Sequence, residues 1–175
     1  MFGLDPFHFW IAIAITLFSG FVKGAIGFAM PMIMLAALGS FLPAQQAVAA
    51  VILPVLVTNI RQALRGGWRP AWQATWDWRW HVGMVVLFIP VSAFFATRVP
   101  QGLMYALIGL PIMLFALWQI LGRSMVLPVH HRRRVEIATG VTGGLIGGIS
   151  GIWGPPLLVL LLSLHVPKAE QMRVQ

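Results

Sequence analysis

The 175-residue sequence has no cysteine, only four acidic side chains, and charged residues at just 9% of the total. Without cysteine there is no disulfide, no thiolate nucleophile and no thiolate metal site. An ordinary soluble domain is about a quarter charged. This chain therefore has too few polar side chains to coat a water-facing surface. The four carboxylates, Asp5, Asp77, Glu136 and Glu170, all fall at the ends of apolar runs or between them. None stands mid-run, where intramembrane proton or sodium relays place one. His81 and His165 also lie near run ends and read as interfacial. No run holds the cluster of His, Asp or Glu that a membrane-embedded enzyme would need. His130-His131 abuts three arginines, whose charge opposes a metal cation. No cofactor is implied.

What the sequence does have is apolar length. Hydrophobic residues make up 59% of the chain, and the mean hydropathy is +0.86. That composition excludes disorder and predicts an all-α polytopic membrane protein whose partner is the lipid bilayer. The excess of 12 Lys+Arg over four acids gives a formal charge of +8. Nucleic acid is not the implied partner, because the basic residues sit in short gaps between apolar runs rather than on one soluble face. Between spans they report orientation. Asp5, with no Lys or Arg, precedes the first run, which does not fit a cleaved signal peptide.

The first apolar stretch covers residues 7–42. As one straight helix it would be roughly 54 Å long at about 1.5 Å per residue, against a hydrocarbon core of about 30 Å. It must break or fold back. The expected break is Lys23-Gly24-Ala25-Ile26-Gly27, giving arms Phe7–Val22 and Ala25–Leu42 before Pro43. Further spans are expected at 44–60, 81–97 and 102–122, with one internal proline each: Pro54, Pro90 and Pro111. Arg61, Arg65, Arg69 and Arg79 precede the span at 81–97. Arg123, Arg132, Arg133 and Arg134 fall in a basic loop at 123–135. Both groups belong on the cytoplasmic side of a cell membrane, and a hairpin tip at Lys23 would join them. Trp68, Trp72 and Trp76 recur every four residues, the spacing of an interfacial helix face.

The chain also repeats itself. Gly20–Pro43 reads GFVKGAIGFAMPMIMLAALGSFLP, and Gly144–Pro167, 124 residues on, reads GLIGGISGIWGPPLLVLLLSLHVP. Gly20, Gly24, Gly27, Pro31, Leu38 and Pro43 match Gly144, Gly148, Gly151, Pro155, Leu162 and Pro167. Glycine and proline set backbone geometry rather than hydrophobicity, so their agreement in register carries weight. Residues 1–122 read as a first repeat and 136–175 as the start of a second, incomplete one. Copies interrupted at equivalent points are the mark of secondary transporters. A broken helix presents free N–H groups and partial positive charge, where a small anion can bind without a full counter-charge. Close helix packing also accounts for the glycine spacing, but not for the matched prolines. By the offset, residues 168–175 open a segment that should span the membrane, so the chain reads as C-terminally truncated. The alternative is a half-size protein that completes itself as a homo-oligomer.

Three stretches carry a family resemblance: Phe21–Pro31, Leu53–Leu64, and Gly140–Pro156 with its Gly147-Gly148-Ile149-Ser150-Gly151 and Gly154-Pro155-Pro156. They resemble the sulfite exporter TauE/SafE family of membrane permeases. Ala29 stands where that family often has glycine. The resemblance implies a permease for sulfite or organosulfonates in the cytoplasmic membrane; the residues by themselves support a small anionic substrate. Candidate substrate-binding residues are Lys23, Gly24, Gly27, Thr58, Asn59, Gly148, Ser150, Gly151 and Trp153, with Pro31 and Pro155 marking the helix breaks. The glycines and Ser150 would present donors, Thr58 and Asn59 side-chain contacts, Lys23 positive potential, and Trp153 a wall. A non-transporting assembly subunit or a non-selective channel are the competing readings, and saturable flux separates them from a permease.

Overall fold

The computed structural model describes residues 5–122 and 131–174. Arg123 and His130 of the basic loop lie outside the described residues. Among those described, the chain is all helical. The helices are α1 (Pro6–Ile26), α2 (Met30–Leu38), α3 (Ala44–Ala63), α4 (Trp68–Asp77), α5 (Arg79–Ala96), α6 (Gln101–Ile120), α7 (Arg132–Ser150), α8 (Gly154–Ser163) and α9 (Lys168–Val174). A 3-10 turn, Leu64–Gly66, prolongs α3. Four segments are long and apolar enough to cross a membrane: Pro6–Ile26, Ala44–Gly66, Arg79–Ala96 and Gln101–Ile120. Each agrees with an expected span to within a few residues at its start. Pro54, Pro90 and Pro111 are carried inside continuous helices.

The first stretch folds back, but its break lies later than expected. Helix α1 starts on an Asp5 cap, whose carboxylate accepts the His8 backbone N–H at 2.9 Å. That bond, with one to the His8 ring, holds the Asp5 carboxyl below its usual range. The helix then runs through Lys23 and Gly24 to Ile26. A single glycine inside a helix costs only about 1 kcal/mol, so Gly24 does not end it. Gly27 does, at φ 93°, with its N–H donating to the Lys23 carbonyl at 2.7 Å. Pro31 falls in the first turn of α2, where its missing N–H is no loss. The return arm reaches the start of α1, since the Phe41 and His8 rings lie 5.2 Å apart.

Helices α5 and α7 pack side by side and parallel along a glycine seam. Gly140 faces His81 and Met84, Gly144 faces Met84 and Phe88, and Gly148 faces Ile89 and Ser92. A Cβ on Gly144 would come within 2.7 Å of the Phe88 Cβ. The Ser92 hydroxyl donates across the seam to the Gly144 carbonyl at 3.0 Å. This seam covers His81, expected at the interface but in fact buried, with Nδ1 3.1 Å from the Thr139 hydroxyl. Glu136, expected at a segment end, is buried there too. Neither burial could be anticipated without knowing which helix lies against which.

The ends of the bundle fix relative direction. Tyr105, near the start of α6, donates to the Leu42 carbonyl at 3.2 Å. The starts of α1 and α6 and the end of α5 therefore share one end of the molecule. Because α7 runs parallel to α5, α1 and α7 run antiparallel. After α7 the chain turns at Gly151 and α8 folds back along it. Trp153 then lies against Gly147, and Leu160 and Leu161 share a buried cluster with Trp78. On α4, Trp68, Trp72 and Trp76 form one exposed face while Ala74 is buried on the other.

Candidate functional site

The two helix breaks meet. A cavity of about 50 Å³ is lined from the first break by Gly27, Phe28 and Ala29, and from the second by Ile152, Trp153 and Gly154. Lys23, Val55, Asn59 and Phe115 close it from α1, α3 and α6, and Pro31 and Pro155 flank it. One water needs roughly 10–15 Å³ by this measure. The space therefore suits a group of a few heavy atoms, the size of a small oxyanion.

Lys23 gives the cavity its charge. The residue is 5% exposed, so it is not an exposed charge on a hairpin tip. Its ammonium donates to the Thr58 hydroxyl at 2.9 Å and to the Asn59 side-chain oxygen. An ammonium carries three donors, so one remains for a ligand. Two ion pairs, His8–Asp5 and Arg132–Glu136, are found among the described residues, and neither involves Lys23. A desolvated cation without a counter-ion is costly, and an anion in the cavity would offset that cost.

The backbone contributes less than the glycine content suggests. The first turn of a helix leaves its N–H groups without intrahelical partners. In α2, Met30 and Met32 keep such donors while Pro31 has none; in α8, Pro155 and Pro156 leave Gly154 as the donor of that turn.

The expected site residues divide. Lys23, Gly27, Asn59, Trp153, Pro31 and Pro155 line the cavity, and Thr58 adjoins it by holding Lys23. Gly24 lies on an exposed side of α1. Gly148 belongs to the seam with α5. Gly151 turns the chain at φ 72°, outside the cavity lining. The Ser150 hydroxyl is engaged locally, donating to the Ile146 carbonyl at 2.8 Å and accepting the Ile152 N–H at 3.2 Å. Val55 and Phe115 were not anticipated, since an apolar residue in an apolar span carries no signal. Gln62 is a further addition: its amide donates to the Gly27 carbonyl at 3.1 Å and the Met172 carbonyl at 2.5 Å, tying α9 to the first break. A lone amide at the end of a span was the available sign.

The family model of the sulfite exporter TauE/SafE matches residues 12–173, nearly the whole chain. The chain belongs to the TauE/SafE family. It is thus a multi-pass membrane transporter and not an enzyme, and the family implies an anionic substrate. Comparisons with curated proteins and with solved structures return no match. For this TauE/SafE member the cavity between the breaks is an apolar-walled space lined by a buried cation, Lys23.

Proposed function

We propose that this TauE/SafE protein carries sulfite or a small organosulfonate across the cytoplasmic membrane, binding its oxyanion group in the cavity between the two breaks. The observation that carries the reading is Lys23: a buried ammonium with no counter-ion among the described residues, beside a space of oxyanion size. Asn59 and the first-turn N–H groups of Met32 and Gly154 would complete the anion's shell, with Trp153 and Phe115 as apolar walls. The regions 1–122 and 136–175 would be two copies of one unit, inverted because α1 and α7 run antiparallel. The matched αL glycines and first-turn prolines support that reading. Such an arrangement suits alternating access around a fixed site.

The test is flux. The purified chain in proteoliposomes should move sulfite saturably, with competition by methanesulfonate. Lys23→Met keeps the length and apolar stem of the side chain but removes the charge, and should lower flux at low sulfite by at least about tenfold, as loss of a charged hydrogen bond implies. Flux that rises linearly with concentration would replace the permease with a channel. Saturable flux untouched by Lys23→Met would move the site elsewhere.

A further inference from the structure

A second cavity, of about 280 Å³, adjoins the space between the breaks. It is enclosed by the end of α3, by α4, by the start of α5 and by the end of α9. Asn59 stands in the walls of both cavities. Its side-chain oxygen accepts from the Lys23 ammonium, while its amide nitrogen has no partner among the described residues. Asn59 is thus the side chain common to Lys23 and the second space.

That space is built for one sign of charge. Among the described residues, Arg173 is the charged side chain in its lining, and no carboxylate lines it. The Arg173 guanidinium makes no ion pair and no hydrogen bond among the described residues. It lies over Gly66, where an added Cβ would come 3.3 Å from Nη2. Its planar fork of donors matches an oxyanion. Ala63, Ala71 and Ala74 keep the walls small. The segments around the cavity also carry Arg61, Arg65 and Arg69, whose summed field draws anions to this end of the bundle.

Arg173 is held in position relative to Lys23. Gln62, one turn beyond Asn59 on α3, donates to the Gly27 carbonyl at 3.1 Å and to the Met172 carbonyl at 2.5 Å. The residue next to Arg173 is therefore anchored to the first break. Size separates the two spaces. At roughly 10–15 Å³ per water, a volume of about 280 Å³ takes an oxyanion with much of its water shell. The inner cavity of about 50 Å³ takes the bare group.

We propose that this second cavity is the entry site for the transported sulfonyl oxyanion. Arg173 holds the anion while it is still hydrated, and the Asn59 amide passes it to Lys23. The inference rests on the reading of the Lys23 cavity as the transport site.

The experiment uses the full chain in proteoliposomes. The sequence has no cysteine, so Ala71→Cys places a single thiol in the wall of the second cavity. The rate of its modification by the anionic 2-sulfonatoethyl methanethiosulfonate is compared with the rate for the cationic trimethylammonium analogue. Methanesulfonate, which does not react with thiols, should slow modification saturably. Adding Arg173→Gln should weaken that protection about tenfold and slow the anionic reagent but not the cationic one, as loss of a charged hydrogen bond implies. Adding Lys23→Met should leave the protection in place, because the anion waits outside the inner cavity. In flux, Arg173→Gln alone should raise KM for sulfite roughly fivefold to tenfold with little change in maximal flux, and Arg173→Lys should restore part of the loss. The protection assay on Ala71→Cys needs no change at Arg173, so it stands even if that variant fails to fold. Absence of protection overturns the entry site even where flux still depends on Lys23. Protection lost with Lys23→Met but kept with Arg173→Gln also overturns it, by placing the bound anion in the inner cavity alone.

Discussion

Gly27 and Gly151 end their helices with the same hydrogen bond. Each N–H donates to the carbonyl four residues earlier at 2.7 Å, and each backbone is left-handed, at φ 93° and 72°. A side chain in that conformation costs about 1–2 kcal/mol. The surroundings differ, however. A Cβ on Gly151 meets nothing within 4 Å, whereas one on Gly27 comes 2.8 Å from the Met172 Cγ. Gly151→Ala should therefore lose about 1–2 kcal/mol in a denaturant titration of the purified chain. Gly27→Ala should lose more, and adding Met172→Ala should bring it back to the Gly151→Ala level. Equal losses for the two single variants would mean that α9 does not rest on the first break.

Two residues on from Gly27, Ala29 adopts φ 75° without being glycine. The strain of the left-handed region weighs against Ala, while the greater freedom of glycine in the unfolded chain weighs against Gly. The first is the larger, so Ala29→Gly should stabilise by up to about 1 kcal/mol. A lower denaturation midpoint for Ala29→Gly would contradict the backbone geometry of this break. Because Ala29 lines the cavity, the same variant also removes a methyl group from the site.

The spans were legible because apolar runs bounded by prolines and arginines leave little choice: α3 starts at Ala44 directly after Pro43, as expected. The breaks were legible as regions but not as residues. Gly24 and Gly27 look alike in sequence, yet one is helical and the other left-handed at φ 93°. Of the cavity lining, Lys23, Asn59 and Trp153 could be named from type and position. Gly148 and Ser150 could not be sorted from them, since a packing glycine and a locally bonded serine have the same letters as ligand-facing ones. The burial of His81 and Glu136 depends on the α5–α7 seam, a long-range fact that no local pattern encodes.

That seam gives Gly148 a role that can be separated from ligand binding. A Cβ there would strike the Ser92 hydroxyl and the Ile89 carbonyl. Overpacking of this kind costs about 1–3 kcal/mol. Gly148→Ala should lower the thermal midpoint and the yield of folded protein, while the surviving fraction keeps its half-saturation for sulfite. Adding Ser92→Ala should relieve only part of the loss, because the Ile89 carbonyl remains. A normal midpoint with weakened sulfite binding would instead return Gly148 to the site.

Thr58 and Asn59 hold Lys23 from adjacent positions on α3 but differ in their access to the cavity. Thr58 accepts from the ammonium at 2.9 Å and is itself tied to the Pro54 carbonyl at 2.8 Å, whereas Asn59 also lines the space. Thr58→Val removes one acceptor at nearly constant shape and leaves the charge in place. At about 0.5–1.5 kcal/mol for one hydrogen bond, it should raise KM for sulfite roughly twofold to tenfold with little change in maximal flux. Asn59→Ala removes both the acceptor and a cavity donor and should raise KM further. The ordering Thr58→Val, Asn59→Ala, Lys23→Met in rising severity is what a positioned ammonium requires. If Thr58→Val alone were as damaging as Lys23→Met, the hydroxyl rather than the charge would be the group that meets the anion.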